Sequence, residues 1–532
     1  MHRKEQRTEN KMSLTHIRKG RVIFIYLIIV LLFSILGARL MQLSAFSNKT
    51  DLSNIYDITK INQRGEIFDR NSTIVATDIK TKSLYVSSAL LKNDKEISRQ
   101  LSRIFDDMSY KYIYNKIHKN KKRLNWILIK KNITPNQEEK INALKRASLL
   151  FEEGKIRIYP QKSIFSHLVG YVDLDRKGLS GIERYYNSKL IKEEKGVTLA
   201  ADLRVQDILD DELKKGMKKY NVKFASGIVM DVNNGEVLAM VSLPSFDPNN
   251  RSGSSSKQKF NRASSGVYEL GSVFKIFTNA IAFEEDLVRL GDVYDVSEPI
   301  KYDKFTINDD HKDKDELSVE DIFAKSSNIG TVKIAQKIGA KTQKKYLKKL
   351  GLLDKIDTDF PGLAKPIYPK NWRTINLYTI SYGHGIAVTP LHIASAVSAT
   401  VNGGIYHKPS FIKLKEQPKG TRVFKESTSQ TLRMLLRRSV TDGTGRFSNI
   451  DGYDIGGKTG TAEKAKGGGY NEKQTIASFV SIFPSKEPKY LIYLVFDNPN
   501  YNFNTGGMIA APVTKGVIEN IAPILGVYPN LK

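Results

Sequence analysis

Three short stretches of the chain carry residue types that together can perform acyl transfer. In GSVFKIF, Ser272 and Lys275 stand three residues apart, so on a helix they share a face and the amine can reach the hydroxyl. Gly271 permits a tight turn before the serine, which then opens the helix, where the amino-terminal dipole favours negative charge on oxygen. Val273, Phe274, Ile276 and Phe277 give the lysine apolar company, and an amine withdrawn from water is easier to keep neutral, as a base must be. In KSSNIG, Ser326 and Asn328 stand two apart; a locally extended segment would send both side chains one way, a hydroxyl to relay a proton and an amide to hold a substrate carbonyl. In IGGKTGTAEK, Lys458 supplies a cation, Thr459 and Thr461 supply hydroxyls, and Gly460 lets a substrate lie close against a strand. Those are the requirements for binding a carboxylate-ended peptide. Each stretch alone has an ordinary reading as a helix cap with a surface lysine, a Ser-Ser-Asn cap, or a glycine-rich loop. The last lacks the glycine spacing of a phosphate-binding loop.

The elements that must position these residues are legible around them. After Asp202, RVQDILDDELKKGMKKY predicts an amphipathic helix, and ASGIVMDVNNGEVLAMVS a hairpin turning at Asn233-Asn234-Gly235. TIASFVSIFPS and KYLIYLVFDNP predict two antiparallel strands, and PVTKGVIENIAPIL a closing helix; a sheet faced by helices buries such segments. Residues 61–87 and 156–203 predict short strands and turns. Between them, 94–152 predicts lysine-rich helix with Ile104, Ile113, Leu124, Ile127, Ile141 and Leu149 inward. Together these make an α+β region over 61–203. Asp202 and Asp231 are expected at a turn or strand end.

The 532 residues are enough for two or three domains. A net charge of +28, from 84 basic against 56 acidic residues, raises nucleic acid as a partner, but the lysines are dispersed and no nucleic-acid-binding motif accompanies them. The absence of cysteine removes thiolate catalysis, Cys-ligated zinc and disulfides. Asp310 and His311 lack a clustered further ligand, so a solvated loop is expected there and no metal. Val22 to Ala38 is apolar throughout and follows a basic leader of Arg3, Lys4, Arg7, Lys11, Arg18, Lys19 and Arg21 against Glu5 and Glu9. That pattern predicts an uncleaved anchor over 22–41 with a cytoplasmic tail at 1–21, a juxtamembrane linker at 42–60, and all later residues outside a cytoplasmic (inner) membrane. A cleaved signal peptide is the alternative.

The order and wide spacing of the three motifs resemble the penicillin-recognising serine transpeptidases, whose signatures are S-x-x-K, S-x-N and K-T/S-G. NRASSGVYELGSVFK (261–275), LSVEDIFAKSSNIG (317–330), TDGTGRFSN (441–449) and SYGHGIAVTPL (381–391) extend the likeness. RGEIFDRN (64–71) and GYVDLDRKGLSGIERYYNSKL (170–190) resemble motifs of the class B, monofunctional, high-molecular-weight members, and Asn328 tilts the resemblance to the division-specific FtsI type. Leu270 and Val273 depart from the usual proline and threonine, which touches the subtype rather than the chemistry. The likeness covers essentially the whole chain after the basic tail and is least distinctive over 94–155.

The resemblance implies a membrane helix, an elongated non-catalytic pedestal over 61–203 and a transpeptidase domain over 204–532 with a mainly antiparallel sheet faced by helices. It implies that Lys275 is the base for the nucleophile Ser272, that the backbone N–H groups of Ser272 and Thr461 form an oxyanion hole, and that Ser326 relays a proton to the leaving D-alanine. Asn328 would hold the substrate amide, and Lys458, Thr459, Gly460 and Thr461 the terminal carboxylate. Arg64, Gly65, Asp69 and Arg70 would organise the junction between pedestal and catalytic domain, and His384 would line or support the site. The implied substrates are peptidoglycan stem peptides, the implied ligands β-lactams, and the implied partners a polymerising glycosyltransferase of the SEDS (FtsW-like) type and other division proteins, with no cofactor. A carboxypeptidase or β-lactamase, an elongation-type transpeptidase, and a catalytically idle scaffold remain open alternatives.

Overall fold

The computed structural model describes residues 23–39, 41, 64–193, 195–303, 305–310, 314–466, 469–500 and 504–530, the side chains of 465–473 excepted. The chain forms two units, Met1–Asn62 and Gln63–Lys532. In the first, residues 23–39 form helix α1. The membrane anchor expected over 22–41 is overturned here: among the described residues, no helix is long and apolar enough to cross a membrane. The expected single-pass inner-membrane location rested on that span and falls with it. The tail at 1–21 and the linker at 42–60 lie outside the described residues.

The second unit begins with a five-stranded sheet made of β1 (Ile67–Phe68), β2 (Ile74–Ser87), β3 (Trp126–Ile133), β4 (Leu149–Ile158) and β5 (Val197–Thr198). The long β2 pairs antiparallel with β3 and with β4, while β1 pairs antiparallel with β2 and parallel with β5. Helices α2 (Asp94–Ile104), α3 (Tyr110–Asn120) and α4 (Pro135–Ala143) set Ile97, Leu101, Ile113, Ile117 and Ile141 against Leu84, Val86, Ile127 and Ile129. The helical stretch expected over 94–152 is therefore divided by β3 and the start of β4. In WILIKKNI, Ile127, Ile129 and Ile133 are buried at even spacings, the period of a strand. Leu124 stands in the turn before β3 and is exposed, not inward.

Helix α5 (Leu203–Lys219), capped by the Asp202 carboxylate, leads into the larger region. Its antiparallel sheet has the order β8-β9-β10-β6-β7, from β6 (Phe224–Asp231), β7 (Val237–Leu243), β8 (Gly456–Lys466), β9 (Gly469–Phe483) and β10 (Tyr490–Asp497). Both faces are covered, so β10 is a continuous apolar run, LIYLVF. Ile492, Leu494 and Phe496 meet α5 and α11 (Gly506–Ile521), while Leu491, Tyr493 and Val495 belong to the opposite core. That core holds α6 (Lys275–Glu284), α8 (Asn328–Ile338), preceded by α7 (Val319–Lys325), and α9 (Pro390–Val401), in which every residue is buried. Helix α10 (Glu426–Thr441) packs beside β8.

A knot of buried charge lies within the amino-terminal region. Arg64 donates through Nε to Glu183 Oε2 at 2.7 Å, and Arg157 through Nε to Glu183 Oε1 at 2.7 Å. Arg157 also reaches Asp78 at 3.3 Å and the Gly65 carbonyl at 2.9 Å. Gly65 has no room for a side chain, because a Cβ there would lie 2.7 Å from the Glu193 carbonyl oxygen. Asp69 accepts from the Leu203 amide at 3.1 Å, and Arg70 lies 3.4 Å from the Glu236 carboxylate, which carries RGEIFDRN across to α5 and the β6–β7 hairpin. The Arg64, Arg157, Glu183 and Asp78 side chains are at most 1% exposed, so each charge depends on the others. Glu183→Gln removes the carboxylate that Arg64 and Arg157 share, leaving Arg157 only Asp78, and is expected to destabilise the chain by about 3–5 kcal/mol in denaturant unfolding. A loss below about 1 kcal/mol would mean the knot does not hold the amino-terminal region together.

Candidate active site

The serine turn is fitted against β8. Gly271 has φ +58°, and a Cβ there would lie 2.2 Å from the Thr461 carbonyl oxygen. From it, the 3₁₀ turn Gly271–Phe274 leads directly into α6, placing Ser272 on a cavity wall and Lys275 at the first residue of the helix. Gly460 on β8 meets the other side of this contact, since a Cβ there would lie 2.6 Å from the Leu270 carbonyl and 2.8 Å from Val273. The glycine thus admits the serine turn. Leu270 and Val273 are both core residues.

Lys275 is fully buried, and its three hydrogen bonds go to Ser326 O at 2.5 Å, Asn328 Oδ1 at 2.7 Å and Ser326 Oγ at 3.2 Å. Loss of hydration lowers its pKa to about 8, against the opposing pull of the Asp310 and Asp309 charges. Lys458, also buried, donates to Ser326 Oγ at 2.8 Å. Its pKa is driven well below the ordinary amine value by burial and by the Lys275 charge, with Asp310 opposing. The Ser326 hydroxyl therefore bridges two amines that cannot both be charged cheaply.

Ser326 and Asn328 do not converge by strand alternation. Ser326 is left-handed, with φ +64°, between α7 and α8, and Asn328 is the first residue of α8. Asp309 holds this kink in place. It accepts from Ser327 Oγ at 2.6 Å and from the amides of Asn328 at 2.5 Å and Ile329 at 2.9 Å, so a carboxylate caps the amino terminus of α8. The Asn328 amide is engaged at both ends, because Nδ2 donates to the Asn308 carbonyl at 2.9 Å.

A cavity of about 560 Å³ opens over these groups. Ser272, Thr459 and Thr461 line it with Ser326 and Ser327; Asp442, Gly443, Thr444, Arg446 and Phe447 face them. Thr444 and Thr459 share a hydroxyl–hydroxyl bond of 2.7 Å, and Thr461 Oγ1 accepts from the Gly506 amide at 3.1 Å. Because β8 is the edge of its sheet, it offers backbone groups that no neighbouring strand takes up. The exposed Asp310 is part of the cavity wall, whereas His311 lies outside the described residues. His384 is partly buried beside Tyr382, and its imidazole is held neutral, down to about 4, by loss of hydration and the Lys275 charge. Asp69 and Arg70 reach α5 and the β6–β7 hairpin, Arg64 and Gly65 bond within the amino-terminal region, and none of the four lines the cavity. The motifs do not announce Asp309, Thr444 or Gly506. Their signal is spatial, although Thr444 falls within TDGTGRFSN.

Residues 225–519 match the penicillin binding protein transpeptidase domain, and residues 59–220 the penicillin-binding protein dimerisation domain. The chain is 34% identical to a probable peptidoglycan D,D-transpeptidase FtsI of Caulobacter vibrioides, over 87% of this chain and 82% of that protein. It is 30% identical to a probable peptidoglycan D,D-transpeptidase PenA of Neisseria meningitidis, over 99% and 96%. It is also 30% identical to the stage V sporulation protein D of Bacillus subtilis, over 98% and 88%. The chain belongs to the class B penicillin-binding protein transpeptidases. Asp309→Ala frees the Ser327 hydroxyl and two amides at the kink, and is expected to slow covalent labelling by benzylpenicillin about 10- to 100-fold with circular dichroism unchanged. A rate within about twofold of the parent would show that Asp309 does not set the position of Ser326 and Asn328.

Proposed function

We propose that this class B penicillin-binding protein is a serine D,D-transpeptidase that crosslinks peptidoglycan stem peptides through an acyl-enzyme on Ser272. The observation that carries the reading is a buried amine, Lys275, one helical turn from a cavity-lining serine and bonded to both Ser326 and Asn328. In its neutral form, Lys275 takes the Ser272 proton while Oγ attacks the carbonyl between two terminal D-alanines. The backbone N–H groups of Ser272 and Thr461 receive the oxyanion. Ser326, between Lys275 and Lys458, passes a proton to the departing D-alanine nitrogen. Lys458 with Thr459, Gly460 and Thr461 holds the terminal carboxylate. Asn328 both orients Lys275 and offers its amide to the substrate, exchanging its Asn308 contact to do so. An amine of a second stem peptide, diaminopimelate in character, then displaces Ser272.

The division of labour follows the same reading: 61–203 is the pedestal and 204–532 the transpeptidase domain. A septal role is supported by likeness to proteins named FtsI and PenA. Partnership with a polymerising glycosyltransferase of the SEDS type rests on family likeness alone. Intact-protein mass spectrometry with benzylpenicillin tests the chemistry: one long-lived penicilloyl adduct is expected, absent from Ser272→Ala. An adduct that persists in that variant would overturn the assignment of the nucleophile, and rapid release of penicilloate would make the enzyme a hydrolase.

A further inference from the structure

Outside the catalytic cavity lies a groove of about 850 Å³, formed between a β-hairpin and residues 369–376. The hairpin strands, Ile300–Tyr302 and Phe305–Ile307, pair antiparallel with Phe305 opposite Tyr302 and Ile307 opposite Ile300. Directly opposed residues share a face, as do residues two apart on a strand, so all four side chains point one way. Ile300 and Ile307 use that face to pack on Val332 and Ala335 of α8 and on Leu377 and Tyr378. Tyr302 and Phe305 carry the same face past this core and remain 37% and 47% exposed, side by side on the groove wall. The Tyr302 ring stands edge-on to Tyr378, 5.7 Å away at 80°. The facing wall is held too: Trp372 Nε1 donates to Gln343 Oε1 at 2.8 Å, and Gln343 Nε2 donates to the Leu377 carbonyl at 3.1 Å. That wall brings Lys370, Asn371, Arg373 and Asn376 to the groove, and Asp303, between the two strands, adds an acceptor.

Two aromatic rings on one wall and amide, guanidinium and ammonium groups on the other match the chemistry of a sugar. Its C–H face stacks on a ring, while the hydroxyls at its edge exchange hydrogen bonds with polar side chains. The position of the groove selects which sugar. Past Ile307 the chain runs straight to the catalytic cavity: the Asn308 carbonyl accepts from Asn328 Nδ2 at 2.9 Å, and Asp309 caps α8 and lines the cavity with Ser272. Phe305 precedes Asp309 by four residues, a reach of at most about 14 Å. In a pentapeptide stem, four residues also separate the scissile carbonyl from the sugar that bears the stem, again at most about 14 Å when extended. Lys370 and Arg373 complement the carboxylates that such stems carry along a strand.

We propose that this groove is a saccharide subsite: it holds the glycan strand of the donor whose stem peptide occupies the catalytic cavity, with Tyr302 and Phe305 stacking on its sugars. The inference rests on the transpeptidase reading and deepens it, by adding a second point of attachment remote from the reacting carbonyl. The groove exchanges no bonds. Its contribution is binding, which favours a stem carried on a strand over the same stem free in solution.

The test gives the full chain one pentapeptide in two forms, free and borne on an uncrosslinked glycan strand, and reads the ratio of kcat/KM for acylation of Ser272. The parent is expected to favour the strand-borne form about tenfold or more, and Phe305→Ala to lower that ratio about tenfold, as loss of a stacked ring does. Phe305→Tyr should keep the preference. Arg373→Ala, on the wall away from the hairpin, should lower it as well. The ratio cancels any disturbance passed from the hairpin through Asp309, so an equal fall for both donors would overturn the inference. A parent without preference, or a preference that Phe305→Ala leaves intact, would do the same. Calorimetric titration with glycan strands stripped of their stems gives a readout that needs no chemistry at Ser272: binding to the parent and about tenfold weaker binding to Phe305→Ala are expected. Stripped strands that do not bind the parent would overturn the inference and leave the groove to a protein partner. Binding of stripped strands by a chain whose Ser272 no donor acylates would instead sink the transpeptidase reading while the saccharide site stands.

Discussion

An amine buried out of reach of water must be satisfied by the protein, and much of this site follows from that demand on Lys275. Its three hydrogen bonds fix the Ser326 carbonyl and hydroxyl and the Asn328 side chain. Those acceptors converge only because Ser326 adopts a left-handed backbone, and the kink is held by the Asp309 carboxylate at the start of α8. Placing Lys458 against the same hydroxyl adds a second amine whose charge the first opposes. Burial therefore does two things at once: it holds one lysine near neutrality and locks the geometry around the serine.

The scaffold is rigid where this demand is made. The serine turn lies against β8 across two glycines, Gly271 and Gly460, each facing backbone of the other segment at a distance no Cβ could tolerate. Strand β8 is backed by β9 and β10, which are buried on both faces. At the other end of the catalytic region, the Asp69 and Arg70 contacts tie the amino-terminal sheet to α5 and the β6–β7 hairpin, while the Arg64–Glu183–Arg157 knot holds the amino-terminal region itself. The motifs far from Ser272 are thus accounted for by buried charge rather than by contact with substrate.

What was legible in the sequence was whatever depends on near neighbours. Three-residue spacing put Ser272 and Lys275 on one turn, and the short apolar run of KYLIYLVFDNP announced a strand. Placement set by distant residues was not legible. The acceptor that caps α8 comes from Asp309, nineteen positions before Asn328, and the role of Gly460 depends on Leu270 and Val273, far away in the chain. Over 94–152, lysines interleaved with isoleucines suit a helix and a half-buried strand equally, and β3 takes the second option. Apolar composition at 22–38 suggested a membrane span, but among the described residues no helix is long and apolar enough to be one.

The central claim is that burial makes Lys275 the base for Ser272. The rate constant for Ser272 acylation by benzylpenicillin, followed from neutral to alkaline pH, tests it most directly. A lysine lowered to about 8 is protonated and idle below that value and free to accept a proton above it. The expected result is a rate that climbs with pH and levels off above about 8. A rate that is flat through that range, or that falls as pH rises, would contradict it.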